Sequence, residues 1–385
     1  MLALVAACSA IAWRDDAPLS PRRFGELVGE RRWAWLYLAL SAIAFAAYVG
    51  GLALLRNGGA RKMVAALAVA IQLTPLAAPL LLSSDAYTYW VYGNIARAGG
   101  NPYRDEPREF RDVPGYEWMG ADWHDETSVY GPAFTLASEA VDGSSHAYAA
   151  WTFKTAAALA MLAVAFLALR RSTFAGAFAG WNPVLALHFA GGGHNDAWMI
   201  ALVLGALVLG STGRRNAAGA AWALAIFVKW VPLVLLPLRA LEARAARRRV
   251  GHLGFALTVL ALAVLATWQF GLAWVGALAP LARNVAGTTR YSLPHRLSQL
   301  GVPESVATAV FAVAFFCVYV WLAREALRGR ARLALAAGAL VLCSPYVAPW
   351  YLAWVVPLAA VEDDRTARVL ALALTAYLLP QTIPV

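Results

Sequence analysis

Long apolar stretches, broken by short polar segments that carry arginine, run through this chain. Trp33–Leu55, Met63–Leu82, Tyr148–Leu169, His252–Trp274 and Val306–Ala323 are each close to the roughly 20 helical residues that a bilayer core requires. Phe174–Phe189, Trp198–Leu209, Leu333–Cys343 and Leu352–Val361 are shorter runs bounded by polar turns, and a last helix ends near Pro380. Met1–Trp13 reads as a short first helix, or one trimmed at its start. Val5-Ala6-Ala7-Cys8 has the outline of a lipoprotein cleavage box, but the residues before Cys8 leave no room for a signal peptide. The pattern predicts an all-α, polytopic transmembrane protein of about 11–13 membrane helices, a single domain over residues 1–385.

Composition agrees with the pattern. Of 385 residues 61% are hydrophobic and only 14% charged, with a mean hydropathy of +0.58, whereas a soluble chain is about half apolar and a quarter charged. Sixteen Trp and fourteen Tyr suit a protein that anchors itself at two membrane interfaces. Cys8, Cys317 and Cys343 lie scattered in apolar runs, with neither metal-ligand spacing nor a disulfide framework. The net charge of +10 does not imply nucleic acid. Residues 85–142 hold eleven acids and four arginines, a local charge of −7, so the remainder carries +17, most of it in short loops between apolar runs. That is the positive-inside distribution of a plasma-membrane protein.

Charge also sets the topology. Arg56, Arg61 and Lys62, Arg170-Arg171, Arg214-Arg215, Arg239–Arg249, Arg324–Arg332 and Glu362–Arg368 fall on the cytoplasmic side. The run Ala217–Leu238 has basic residues at both ends and so cannot cross once; it must break and return. Lys229-Trp230-Val231-Pro232 is the place, because proline removes a backbone donor and disfavours helix in the residue before it. Lys229 then faces outward. On the same side fall Asp85, the loop of about sixty residues from Asp85 to His146, His194-Asn195-Asp196, a basic segment with Arg283, Arg290, His295 and Arg296, and the Pro345–Tyr351 turn. The cytoplasmic loops carry little besides arginine, so the chemistry is expected on the extracytoplasmic face.

A loop of that length in a compact protein is functional or disordered, and Tyr116, Trp118, Trp123 and Tyr130 argue for order, with interfacial helices inside it. Asp85 stands where the apolar run ends at Leu82, and a helix starting there puts Thr88, Tyr89 and Tyr92 on its face. The helix stops at Gly99-Gly100 and the chain turns through Asn101-Pro102-Tyr103. One carboxylate at a helix start, polar groups opposite and cations on other segments suit transfer of a group from a phosphate-linked lipid to a hydroxyl. The carboxylate would act as general base, and the cations would hold the departing phosphate. No Walker loop, dinucleotide fingerprint or HExxH is present, so a soluble nucleotide has no obvious seat. No cofactor is expected. A divalent cation held by Asp122, Asp125 and Glu126 stays open without a firm ligand pattern.

Plainer roles fit the same residues. Asp85 and His194-Asn195-Asp196 can cap the helices that follow them. The tyrosines can form an interfacial belt, Lys229 a buried ion pair, and Arg290, His295 and Arg296 a seat for lipid headgroups. Lysine is rare, with Lys62, Lys154 and Lys229 against 29 arginines, and Lys154 lies about two turns inside an apolar span. A secondary transporter or lipid flippase is the rival class, but the polar groups gather at one face and no internal repeat accompanies them.

The ordered set SDAYTYWVYG, NPY, YGP, GGHNDAWM, KWVPLVLLPL and SPYVAPWYLAW, spread over Ser83–Pro357, resembles the polyprenol-phosphate-mannose-dependent mannosyltransferases of actinobacteria, within the GT-C superfamily of integral-membrane glycosyltransferases. The resemblance implies a bacterial enzyme that transfers a sugar, with inversion, from a polyprenyl-phosphate donor to a glycolipid or glycan acceptor outside the membrane. It implies Asp85 as base, in the first outer loop. It maps His194, Asn195 and Asp196, Lys229, and Trp350 and Tyr351 onto the family's site elements. Beside that carry-over, Tyr89, Tyr92, Asn101, Tyr103 and Tyr130 are expected as further substrate contacts. Ala348 stands where relatives often have histidine before the proline of the last turn, which shifts the expected donor-phosphate contact to His295 or Arg296.

Overall fold

The computed structural model describes residues 1–55, 60–143, 145–248, 250–277 and 288–385; Arg56, Arg249 and Arg283 lie outside them. Seventeen α-helices and several short 3₁₀ turns, with no strand, make up the described residues. Among the described residues four helices are long and apolar enough to cross a membrane: α2 (Arg31–Leu54), α6 (His146–Arg171), α12 (His252–Phe270) and α14 (Glu304–Leu327).

The other apolar runs form shorter helices than their length suggests. Met63–Leu82 supplies α3 (Arg61–Leu73), a 3₁₀ turn at Thr74–Ala77 and then irregular chain, because Pro75 and Pro79 withhold backbone donors. Phe174–Phe189 becomes α7 (Thr173–Gly180) and α8 (Pro183–Phe189), separated at Trp181-Asn182, where the Asn182 carboxamide accepts from the amides of Val184 and Leu185 and starts the second helix. Helices α7 and α8 are buried in protein, so their length need not match the bilayer. The remaining short helices are α1 (Leu2–Ile11), α9 (Asp196–Ser211), α15 (Leu333–Cys343), α16 (Leu352–Val361) and α17 (Arg365–Leu378).

Helix α16 is the axis of the packing. It is apolar on every side and buried from Leu352 to Ala360, touching α6, α7 and α9. Helices α12 and α14 are also apolar, but nearly all of their length stays outside the protein interior. An all-round apolar helix must be covered by something; protein covers α16, and α12 and α14 are left for lipid.

The run with basic ends folds back as the charge argument requires. Helix α10 (Arg215–Val228) stops at Lys229, whose backbone is extended (φ −156°, ψ 142°), and α11 (Pro232–Ala245) begins three residues later with proline in its first turn.

The polar loop is ordered and docked. Its first helix, α4 (Asp85–Arg97), is buried from Ala86 to Ala96 and packs on α5 (Pro132–Glu139) and α6. Between them, Trp118 stacks on His146 with centroids 3.8 Å apart, and Tyr116 stacks on His124 at 4.3 Å.

Candidate functional site

The approach to Asp85 is fixed on three sides. Leu82 has φ +58°, a left-handed conformation uncommon for a branched side chain, and its amide donates to the Leu19 carbonyl at 2.8 Å. The Leu81 amide reaches the Gly191 carbonyl at 3.0 Å. Below, the Lys154 ammonium donates to the carbonyls of Leu76 and Pro79, each at 3.3 Å, and to that of Ala78. Lys154 is 1% exposed and meets no acid among the described residues; three backbone acceptors and the face of Trp151 at 4.8 Å satisfy its charge. The suspicious lysine thus clamps the strap that leads to Asp85.

Helix α4 starts at Asp85 with Ser84 as its cap residue, so the Asp85 carboxylate is not spent on capping. It faces His194, whose Nδ1 lies 3.2 Å from Oδ2, and accepts from the Tyr89 hydroxyl at 3.4 Å. Burial pushes its carboxyl upward, but the His194 hydrogen bond and charge, the Lys229 charge and Ser83 together hold it below the usual carboxylate range. The group therefore stays ionised at neutral pH.

His194 is fully buried and stacks on Trp350 with centroids 3.8 Å apart and planes 14° apart. Gly193, at φ +74°, makes the turn that delivers it, packed against the backbone of Phe153 and Lys154. Asn195 is the cap residue of α9, yet its side chain makes no capping bond; it accepts from Lys229 at 3.2 Å. Asp196, also fully buried, accepts from Lys229 at 2.7 Å and from the Trp354 indole at 2.5 Å. Both its oxygens are thus engaged. Lys229 has three donors. Two go to Asn195 and Asp196, and the third remains for whatever enters beside it.

Asp85, Tyr130, Lys229, Trp350 and Tyr351 line one cavity of about 240 Å³. Its walls also include Trp123, Trp230, Tyr346 and Trp354. None of these four was singled out in the sequence as a contact. Trp123 comes from a 3₁₀ turn of the acidic loop and Tyr346 from the turn after α15. Lys229 also sits 5.6 Å from the Tyr351 ring and 5.9 Å from that of Trp354.

Other expected contacts do not line this cavity. Tyr89 and Tyr92 are interior rather than a headgroup belt: Tyr89 packs edge-on against Tyr130, Phe134 and Phe153, and Tyr92 donates to the Glu126 carbonyl at 2.7 Å. Asn101 donates to the Phe270 carbonyl at 2.7 Å and accepts from the Tyr103 amide, while the Tyr103 hydroxyl bonds Thr135 and the Tyr130 carbonyl. Those two residues anchor the loop. Arg290, His295 and Arg296 sit on or beside a separate short helix, α13 (Leu293–Ser298). His295 bonds Thr288 at 3.1 Å, and both arginines lie over Tyr291. Their segment touches the site indirectly, through the Thr289 amide on the Pro345 carbonyl at 3.0 Å. Asp122, Asp125 and Glu126 do not gather into a cluster of three metal-ligating side chains, as none forms among the described residues.

The sequence has known likenesses. The family described as alpha-(1->6)-mannopyranosyltransferase, N-terminal domain, matches residues 1–246, and the MptB C-terminal domain matches residues 284–384. A probable alpha-(1->6)-mannopyranosyltransferase of Mycolicibacterium smegmatis is 26% identical over 353 residues, 74% of this chain and 62% of that protein. Alpha-(1->6)-mannopyranosyltransferase A of Mycobacterium tuberculosis is 26% identical over 404 residues, covering 91% of this chain and 77% of that protein. The protein of the same name from Corynebacterium glutamicum is 28% identical over 171 residues, 42% of this chain and 34% of its own length. The chain thus spans less than two thirds of the M. smegmatis and C. glutamicum relatives. No solved structure matches.

Proposed function

From the premise that this chain belongs to the alpha-(1->6)-mannopyranosyltransferase family, we propose that it moves mannose from a polyprenyl-phosphate donor to a hydroxyl of a glycolipid or glycan acceptor. The observation that carries this reading is Asp85. It is an ionised carboxylate not consumed by capping, and it opens on an aromatic-walled cavity that also presents an ammonium.

In the proposed reaction the acceptor hydroxyl lies against Asp85. Its oxygen attacks C1 of the sugar from the face opposite the phosphate, the new O–C1 bond forms as the C1–O(phosphate) bond breaks, and the configuration at C1 inverts. The hydroxyl proton goes to Asp85 and the electron pair leaves with the phosphate. His194, stacked on Trp350, orients the carboxylate and keeps it charged. Lys229, held by Asn195 and Asp196, turns its third donor to the leaving phosphate. Aromatic faces suit a sugar ring, and the cavity is smaller than the roughly 300–1,000 Å³ typical of drug-sized ligands, a scale that fits one sugar ring. The lipid tail would run in the bilayer. The charge distribution supports an extracytoplasmic site in a bacterial plasma membrane.

Purified wild type and Asp85→Asn, each given polyprenyl-phosphate mannose and candidate acceptors, test the reading. The variant should lose about 10²–10⁴-fold in rate while keeping its helical content. Unchanged transfer by Asp85→Asn would remove the base; no transfer by wild type from any lipid-linked sugar would point to a transporter or flippase. Sidedness is separately checked by Asp142→Cys in a cysteine-free background, since Asp142 is 82% exposed in the polar loop. It should react with a membrane-impermeant maleimide in intact cells.

A further inference from the structure

The opposite end of the helical body holds a second cavity, of about 900 Å³. Helix α9 runs from Asp196 at the first site to Ser211 on this cavity, about 22 Å away at 1.5 Å per residue. The α10–α11 hairpin makes the same journey, with Lys229 at its tip and Arg215 and Arg239 at its base. The basic side chains lining the cavity are those of Arg215, Arg239, Arg247 and Arg248, with His252 at its edge, and among the described residues no acid lines it. Arg239 is paired with Glu242, which lies outside this lining. Arg215, Arg247 and Arg248 have no acidic partner among the described residues. A neighbouring cavity of about 540 Å³ mixes arginines with Glu242, Glu362, Asp363 and Asp364, so it has no comparable bias toward anions.

The acid-free cavity is held open by backbone packing. Gly219 of α10 lies against the Gly251 carbonyl, and Gly251 and Gly254 lie against the backbone of Arg215 and Asn216, so a Cβ at any of the three would collide. This close approach fixes Arg215 beside the segment that carries Arg247 and Arg248. The floor is apolar, made by Trp222, Leu236 and Phe255. His252 begins the membrane-length helix α12, whose Leu253, Leu257, Leu260 and Val264 are exposed along its outer surface. A cationic mouth at the start of a lipid-facing helix is where a phosphate headgroup and its acyl chains can be accommodated together.

We infer that this cavity binds an anionic phospholipid, its phosphate among Arg215, Arg247 and Arg248 and its chains along α12. A free phosphate would share the headgroup chemistry but gain nothing from the apolar floor or the exposed helix. The full-length protein in a neutral detergent is titrated with dioleoyl-phosphatidylglycerol, dioleoyl-phosphatidylcholine and inorganic phosphate, and the thermal midpoint is followed. Phosphatidylglycerol alone should raise it. The concentration for half the shift should rise about fivefold for each arginine replaced by glutamine, and about a hundredfold for Arg215→Gln/Arg247→Gln/Arg248→Gln together. An equal response of wild type and triple variant overturns the site. Inorganic phosphate acting as well as the lipid overturns the occupant. If the triple variant does not fold, Arg215→Gln alone decides by native mass spectrometry: it should retain less phosphatidylglycerol than wild type under equal activation, and equal retention overturns the inference.

Discussion

At one end of the helical body Asp196 and Lys229 meet at 2.7 Å with the acid fully buried, and at the other Arg215, Arg247 and Arg248 surround a wider cavity with no acid in its lining. Both ends collect charge, under different rules. A charge taken out of water has to be paired and hydrogen-bonded in place, so the Asp85 end is rigid, each group held by a named partner. Exposed arginines keep their hydration and need no partner. The two ends separate charge used for position from charge left available.

The comparison can be broken or sharpened by substitution. The largest effect is expected from Lys229→Met, which leaves buried Asp196 without its cation. It should lower unfolding stability by about 3–5 kcal/mol, and adding Asp196→Asn should recover much of that loss in the same denaturant titration. A single arginine-to-glutamine change at the other end should barely move stability, and a loss of similar size there would erase the distinction. Next comes Trp123→Ala, which removes one wall of the smaller cavity; transfer should fall about tenfold, largely through KM, from lost aromatic contact.

A subtler effect concerns pH. Asp85 has a depressed pKa in the folded protein, so its ionised form contributes stability and reactivity above the ordinary carboxylate range, and both are lost as pH falls through the depressed value. His194→Gln removes the main opposition to burial, so the acid limb of the rate–pH profile should move to higher pH; an unmoved limb would show that His194 does not tune Asp85. The smallest effect is expected at the arginine end. Glu362 accepts from the amides of Leu333 and Ala334, and burial pushes its carboxyl up to about 7. Folding therefore favours its protonated form, and stability should decline as pH rises from the ordinary carboxylate range to about 7. Glu362→Gln should flatten that decline in thermal melts across pH.

What could be read without coordinates follows the same division. The hairpin at Lys229 was legible because both ends of its apolar run carry arginine, and charge at loop ends is a local signal. The start of α4 at Asp85 was legible because hydropathy drops there. The breaks at Thr74–Ala77 and at Trp181-Asn182 had a local cue in Pro75, Pro79 and Pro183, but run length outweighed it in the expected spans. Trp123, Tyr346 and Trp354 were not marked as contacts: Trp123 served only to argue that the acidic loop is ordered, the other two stood unremarked inside the SPYVAPWYLAW motif, and only tertiary packing joins them around Asp85. Whether His295 or Arg296 could take the place of a missing histidine depends on distance, which sequence order does not encode. The structure puts them on α13, outside the lining of the cavity.

The directions in which the helices run have a further consequence. Helices α4, α9 and α11 all begin at the Asp85 end, with Asp85 and Asp196 in the first turns of two of them, whereas α6, α9 and α11 finish near the arginines. A helix start carries roughly half a positive charge and a helix end half a negative one. The antiparallel α10, α12 and α15 start at the arginine end, so the dipoles do not add up over the whole body; the effect is local, partial positive charge where α4 and α9 open beside the small cavity. Asp85 and Asp196, in the first turns of those two helices, complement that local charge. In the proposed reaction a departing phosphate would leave into a field set by the backbone, and that part of its stabilisation would survive any change of side chain.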